Sequence, residues 1–263
     1  RIASNQLPRL QLSLILPQTD QVQNQLTEKE AAHAKAVREM FAGIAGRYDL
    51  LNHVLSLNID KRWRRIVANE LRDILDREDA VVLDVACGTG DLSLELNKNA
   101  KAQIIGTDFC RPMLAFAKTK SGGEANSIPY IEGDAMALPF DDDQFDAVTI
   151  AFGLRNLANF ADGLAELCRI LKPGGRLAIL EFSAPIVPGF GQLFNLYFSH
   201  ILPRIGGAVS GSRGAYEYLP DSVSKFPNQK NLVALMEKTG FTSVKFRNLT
   251  GGIAALHSGT KAS

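Results

Sequence analysis

Cysteine is scarce in this sequence: Cys87, Cys110 and Cys168 are the only three among 263 residues, widely spaced and outside any paired motif. That usage argues against a disulfide scaffold or a zinc site and fits a reducing compartment. The four histidines, at 33, 53, 200 and 257, share no metal-ligand spacing, so no metal is expected. No stretch reaches the roughly 20 consecutive apolar residues needed to span a bilayer. An excess of one charge is missing as well: 29 Lys and Arg against 28 Asp and Glu leave +1, which gives no electrostatic footprint for nucleic acid. No internal repeat is found. What is present, 46% hydrophobic and 22% charged residues, is ordinary for a soluble globular protein, and the length suits one large domain with additions.

One further absence is local. Val81-Val82-Leu83-Asp84-Val85-Ala86-Cys87-Gly88-Thr89-Gly90-Asp91 is an apolar strand-forming run that stops at two glycines and passes at once into the amphipathic segment of Leu92, Leu94 and Leu96, so it reads as strand, tight turn, helix. Bare backbone at Gly88 and Gly90 leaves room for a ligand. A dinucleotide fingerprint would need a third glycine, yet Ser93 stands there, and Asp84 ends the strand where pyrophosphate would be repelled. A cationic or zwitterionic ligand fits better. Gln103 to Asp108 is a second buried-type strand ending in an acid, at the place where a nucleotide fold puts its ribose-binding carboxylate, and Tyr130 to Asp134 ends at a third. Each acid alone reads equally well as a cap or turn former. Together with the glycine turn, the three resemble S-adenosylmethionine-dependent methyltransferases.

In chain order, residues up to Gln25 are rich in Gln, Leu and Pro and lack a signal-peptide layout; a flexible tail over 1–26 is expected. The chain opens at Arg1, which leaves a further N-terminal segment open. Thr27 to Glu30 form a capping box for a helix through Phe41, followed by an irregular stretch to Asn52. Asp60 is read as the cap of a helix whose buried stripe is Trp63, Ile66, Val67, Leu71, Ile74 and Leu75, with Lys61, Arg62, Arg64 and Arg65 on a solvated face or against membrane phosphates. Strands at 81–85, 103–107, 128–132, 145–150 and 176–182 alternate with helices from Asp91, from Arg111 and over 160–171. That alternation predicts an α/β, doubly wound, mainly parallel sheet with its ligand site at the carboxyl ends of the strands. Lys172-Pro173-Gly174-Gly175 reads as a helix stop and turn. A helix over 228–239 and strands over 243–249 and 252–257 predict an antiparallel edge hairpin. The expected layout is thus a domain over 27–263 with a helical cap at 27–78 and a lid-like insertion at 184–227. Phe190, Phe194, Tyr197, Phe198, Ile201 and Leu202 share one helical face of that insertion, and both core packing and a greasy lid or bilayer contact account for them.

Two separated stretches carry a closer resemblance: Tyr48-Asp49-Leu50-Leu51-Asn52-His53-Val54-Leu55-Ser56 through Trp63, and Arg169 through Ser183 with its Lys172-Pro173-Gly174-Gly175 core. Supporting matches are Ala151 to Asn156, Tyr216 to Pro220, and Leu249 to His257. The chain resembles the UbiE/MenG family of quinol C-methyltransferases over about Val37 to Lys261. Leu51, Asp60 and Ala151 depart from its pattern, the last where a serine commonly contacts the cofactor. One lost hydroxyl there removes a hydrogen bond of on the order of 1 kcal/mol.

The resemblance implies a Rossmann-like class I fold with a mainly parallel seven-stranded sheet. It implies methyl transfer from S-adenosylmethionine to a ring carbon of a polyprenylated quinol, demethylmenaquinol first, with benzoquinol methylation, another hydrophobic acceptor or a non-catalytic scaffold as alternatives. For the cofactor it implies Gly88, Thr89 and Gly90 at the methionine end with Asp84 near the ammonium, Asp108 on the ribose, Asp134 and Ala135 at the adenine edge, and Ala151 along the floor. Arg155 and Asn156 are the first candidates to stabilise a phenolate or take its proton, and Tyr48 and Asp49 to close over the quinol. The expected partners are the quinol, a peripheral membrane contact and a second copy in a homodimer, without nucleic acid. The expected location is the cytoplasm, at the inner face of the membrane.

Overall fold

The computed structural model describes residues 28–49, 56, 58–122, 128–183, 185–186 and 213–263. The expected tail, Leu51 and most of the lid-like insertion lie outside the described residues.

Seven strands form one sheet in the order β3-β2-β1-β4-β5-β7-β6: β1 (Val81–Val85), β2 (Gln103–Asp108), β3 (Tyr130–Glu132), β4 (Phe145–Ala151), β5 (Leu171–Phe182), β6 (Phe241–Leu249) and β7 (Ala254–Lys261). β1 to β5 pair in parallel, and β7 is antiparallel to both β5 and β6. The helices, in chain order, are α1 (Glu28–Ile44), α2 (Ile59–Glu70), α3 (Arg72–Leu75), α4 (Asp91–Asn97), α5 (Arg111–Lys120), α6 (Phe160–Ile170), α7 (Arg213–Lys225) and α8 (Gln229–Lys238).

Central strands are mostly apolar because both faces are covered. Val82, Ile104, Ala147 and Leu180 face Trp63 and Val67 of α2, Leu71 just after it, and Leu92 and Leu96 of α4. Their neighbours Leu83, Ile105, Val148 and Ile179 face Leu164 and Leu167 of α6 with Leu232 and Met236 of α8. The chain leaves β1 towards β3, then returns to β4 on the other side of β1. This reversal opens a crevice at the carboxyl ends of β1 and β4, the usual ligand position of such sheets.

Several local expectations are corrected. α2 begins at Ile59 behind Asn58, which has φ 60° and no side-chain cap bond; Asp60 lies inside the first turn, accepting from Ser56 Oγ at 2.7 Å and from Arg64 Nη1 at 2.6 Å. Arg64 is therefore buried rather than part of the solvated face. Lys172 to Gly175 fall within the span of β5 but pair with neither neighbour, since Leu171 faces Phe145 and Arg176 faces Ala147; with Gly174 at φ 77° they form the expected turn after the helix ends at Ile170. α1 runs on to Ile44, and β7 starts at Ala254 and continues to Lys261.

Candidate active site

A cleft enclosing about 770 Å³, part of it open to solvent, sits over the β1/β4 crevice. Its floor comes from strand ends and the turns after them: Ala86 and Gly88 after β1, Asp108 and Phe109 at β2, Gly133 to Met136 after β3, and Ala151 to Gly153 at β4. Its roof comes from Ala34 and Phe41 of α1 and from Tyr48.

Two of these turns are strained. Ala86 has φ 51° and Phe152 φ 57°, left-handed values that non-glycine residues keep only when their surroundings hold them. The turns pack side by side, and a Cβ on Gly153 would lie 2.6 Å from that of Ala86. Phe152 then tilts against Phe182 at 4.7 Å and Trp63 at 6.0 Å between centroids, giving one end of the cleft an aromatic wall.

Asp108 is the buried carboxylate of the floor. Its Oδ2 accepts from Gly88 N and its Oδ1 from Cys110 N, both at 2.8 Å. Burial pushes its pKa up to about 6 against the pull of those amides. A carboxylate offers about four lone pairs, so two remain for hydroxyl donors in the cleft. Gly88, with φ +57°, presents bare backbone beside it, and a Cβ there would lie 3.9 Å from Tyr48 Cε1. Asp134 accepts from Met136 N at 2.9 Å, which fixes the turn that brings Ala135 to the wall.

Asn156 is held from three sides. Its Oδ1 accepts from Tyr218 Oη of α7 at 3.2 Å, its Nδ2 donates to Phe152 O at 3.3 Å, and its carbonyl accepts from His33 Nε2 of α1 at 3.2 Å. The residue thus joins cap, floor and α7 while its side chain faces the cleft.

Tyr48, Gly88, Asp108, Asp134, Ala135, Ala151 and Asn156 therefore meet around one cavity. The other five expected site residues do not line it. Asp84 is 1% exposed and spends its oxygens on Ser93 Oγ at 2.6 Å and Thr149 Oγ1 at 2.8 Å; burial raises its pKa to about 6. Ser93, in place of a third glycine, is thus the anchor of the acid below the turn. Gly90 makes room for Tyr130, whose hydroxyl would lie 2.5 Å from a Cβ there. Thr89 donates its hydroxyl to Asp49, and Asp49 also accepts from Lys120 at 2.7 Å. Arg155 is 8% exposed: its Nη1 donates to Glu181 Oε1 at 2.8 Å and to Phe152 O, and its guanidinium lies 5.4 Å from the Phe182 ring centroid.

Phe41, Phe109, Met113 and Phe152 line the cleft without having been singled out. Phe109 and Phe152 follow the last residues of β2 and β4, and that position was the available signal; nothing local marks Phe41 or Met113.

A sequence profile described as the ubiE/COQ5 methyltransferase family matches residues 27–261. A demethylmenaquinone methyltransferase of Deinococcus radiodurans is 52% identical over 228 residues, covering 86% of this chain and 93% of its own. One of Thermus thermophilus is 48% identical over 223 residues, covering 84% of this chain and 100% of its own. Among solved structures, a SAM-dependent methyltransferase of Thermotoga maritima superposes with a TM-score of 0.58 at 18% identity, over 85% of this chain and 99% of that one, a likeness of fold.

Proposed function

The chain belongs to the ubiE/COQ5 methyltransferase family, and we propose that the acceptor of its S-adenosylmethionine-dependent reaction is a ring carbon of demethylmenaquinol, giving menaquinol. The name shared by the two relatives at 48% and 52% identity favours the naphthoquinol over a benzoquinol. The observation that carries the reading is the cleft itself, which sets the buried Asp108 and bare Gly88 at one side and the aromatic wall of Phe152 at the other.

When bound, S-adenosylmethionine supplies an electrophilic methyl on a sulfonium. Asp108 would accept from two ribose hydroxyls with its remaining lone pairs, Gly88 would admit the ligand against backbone, and Asp134 with Ala135 would border the adenine. Ala151 continues the floor without a hydroxyl to offer. The second role of the cleft is orientation: attacking carbon, methyl and sulfur must lie in line, and Phe41, Tyr48, Phe109 and Phe152 exclude water from that line. Tyr48 and Asn156 are the polar side chains suited to hold the quinol hydroxyl. Arg155, one residue from Asn156, has its charge offset by Glu181 and would act by holding the Phe152 turn through the Phe152 carbonyl. Asp84 supports the turn from below. The acceptor's prenyl chain confines it to a bilayer, so the reaction would occur at a membrane surface; among the described residues no helix is long and apolar enough to cross one.

Turnover with labelled S-adenosylmethionine tests this directly, using reduced short-chain demethylmenaquinol, a reduced demethyl benzoquinol and both oxidised quinones. Label should enter the reduced naphthoquinol, and Asn156→Ala should lower kcat by about tenfold or more, as loss of a positioned polar group does. Label in the benzoquinol alone would overturn the substrate assignment. Donor binding without any turnover would favour a scaffold, and Ala151→Ser would then be the first reversion to try.

A further inference from the structure

Outside the cleft, one half-buried ammonium ties together parts of the chain that are distant in sequence. Lys120, the last residue of α5, donates from Nζ to Asp49 Oδ2 at 2.7 Å, to Thr89 Oγ1 at 3.3 Å and to Asp91 Oδ1. Thr89 Oγ1 in turn donates to Asp49 Oδ1. Asp91 opens α4 and also lies 3.3 Å from Arg64 of α2. The lysine side chain is 27% exposed and that of Asp49 32%, so neither is a freely solvated surface charge.

The position of this cluster gives it a consequence. Asp49 follows Tyr48, which lines the cleft opposite Gly88; Thr89 follows Gly88. The bonds of Asp49 to Thr89 and Lys120 therefore close the roof onto the floor one residue away from the cavity. A ligand that fills the cleft between Tyr48 and Gly88 lies against both sides of this closure. The cluster is also suited to opening. Asp49 can leave with the roof while Lys120 keeps Asp91 and Thr89, so no buried charge is stranded, which is the usual obstacle to parting an ion pair.

We propose that Asp49, Thr89 and Lys120 form a clasp whose opening sets how fast the methyl donor enters the cleft and its demethylated product leaves, with Lys120 as the positioning residue. The proposal rests on the reading that the cleft holds S-adenosylmethionine. The test is release of S-adenosylhomocysteine from the full chain, followed by stopped-flow displacement, together with equilibrium binding of labelled S-adenosylmethionine. Lys120→Met keeps the apolar stem and removes the charge; release should quicken about tenfold, the effect of one charge-assisted hydrogen bond, and Lys120→Arg should restore most of it. Asp49→Asn should quicken release as well, and the double variant should be no faster than the faster single one, since both break the same clasp. High salt should speed release from the wild type and leave Lys120→Met unchanged. Thermal midpoints of the ligand-free variants should stay close to wild type, separating the clasp from a merely structural contact. Release within twofold of wild type in Lys120→Met, or additive effects in the double variant, would overturn the clasp while leaving the cofactor reading intact. A wild type that holds no labelled donor would overturn both.

Discussion

The two sides of the cleft are built differently. Below it, β1 ends in Val85 and β4 in Ile150 and Ala151, with Val85 and Ile150 wholly enclosed in a sheet whose two faces are each covered by helices. Above it, α1 buries only Val37 and Ile44 over its 17 residues, and the roof rests on a small cluster of Ala45, Cys110 and Met113 with Phe41, Tyr48 and Phe109 against it. Its polar attachments among the described residues include His33 on the Asn156 carbonyl, Arg38 over the Phe109 ring, and Asp49 on Thr89 and Lys120. Dense apolar packing fixes a floor to within the tolerance that in-line transfer needs, whereas a few hydrogen bonds can open and close without unfolding anything. A site that must orient one ligand and release another benefits from both.

The largest effect is expected in the floor, where Arg155 and Glu181 are buried together beside the strained Phe152 turn. Glu181→Ala would leave the guanidinium without its counter-charge in a region closed to water and should cost about 4 kcal/mol of stability. Urea unfolding checks this. Replacing both residues with leucine should recover most of the loss. A single-variant loss below about 1 kcal/mol would mean that the floor is no more rigid here than the roof, and the contrast between them would fail.

That ion pair also marks the limit of what could be read without coordinates. Strand ends announce themselves locally, because an apolar run that stops at Asp108 places that acid at the ligand edge of a parallel sheet; Gly88 and Asp134 followed from the same logic, whereas Ala135 and Ala151 came from the family resemblance. Arg155, Asp49 and Thr89 shared the right neighbourhood, yet their partners lie 26, 71 and 40 residues away in sequence. Local periodicity carries no information about which distant charge will arrive. Arg64 shows the same limit on a helix: its position on α2 suggested solvent, and Asp60 with Asp91 drew it inward. The mainly parallel sheet and the edge hairpin were legible because burial on two faces and a short turn leave few alternatives.

A smaller effect tests the floor's chemistry. Asp108, raised to about 6 by burial, binds its proton more readily folded than unfolded. The carboxyl's contribution to stability is therefore present below about pH 4 and is lost as pH rises through about 6. A ligand that needs the ionised carboxylate runs the other way. At pH 5 only about a tenth of the Asp108 side chains would be ionised, so donor affinity should be about tenfold weaker than at pH 7.5. Calorimetric titration at the two values measures it, and Asp108→Asn should flatten the profile. An unchanged affinity would mean that Asp108 does not accept from the ligand.

The smallest effect belongs to the roof. His33 Nε2 and the Asn156 carbonyl are 3.2 Å apart and half-buried, and a neutral hydrogen bond of this kind contributes about 1 kcal/mol. His33→Ala should therefore raise the population of the open roof about fivefold without touching the sheet. Hydrogen exchange separates the two regions: amides from Ala34 to Phe41 should exchange about fivefold faster, and those of β1 and β4 at their original rates, because roof opening is a local event that leaves the strands paired. If the strand amides accelerated by the same factor, α1 and the sheet would open as one cooperative unit. The roof would then have no independent motion for a clasp to govern.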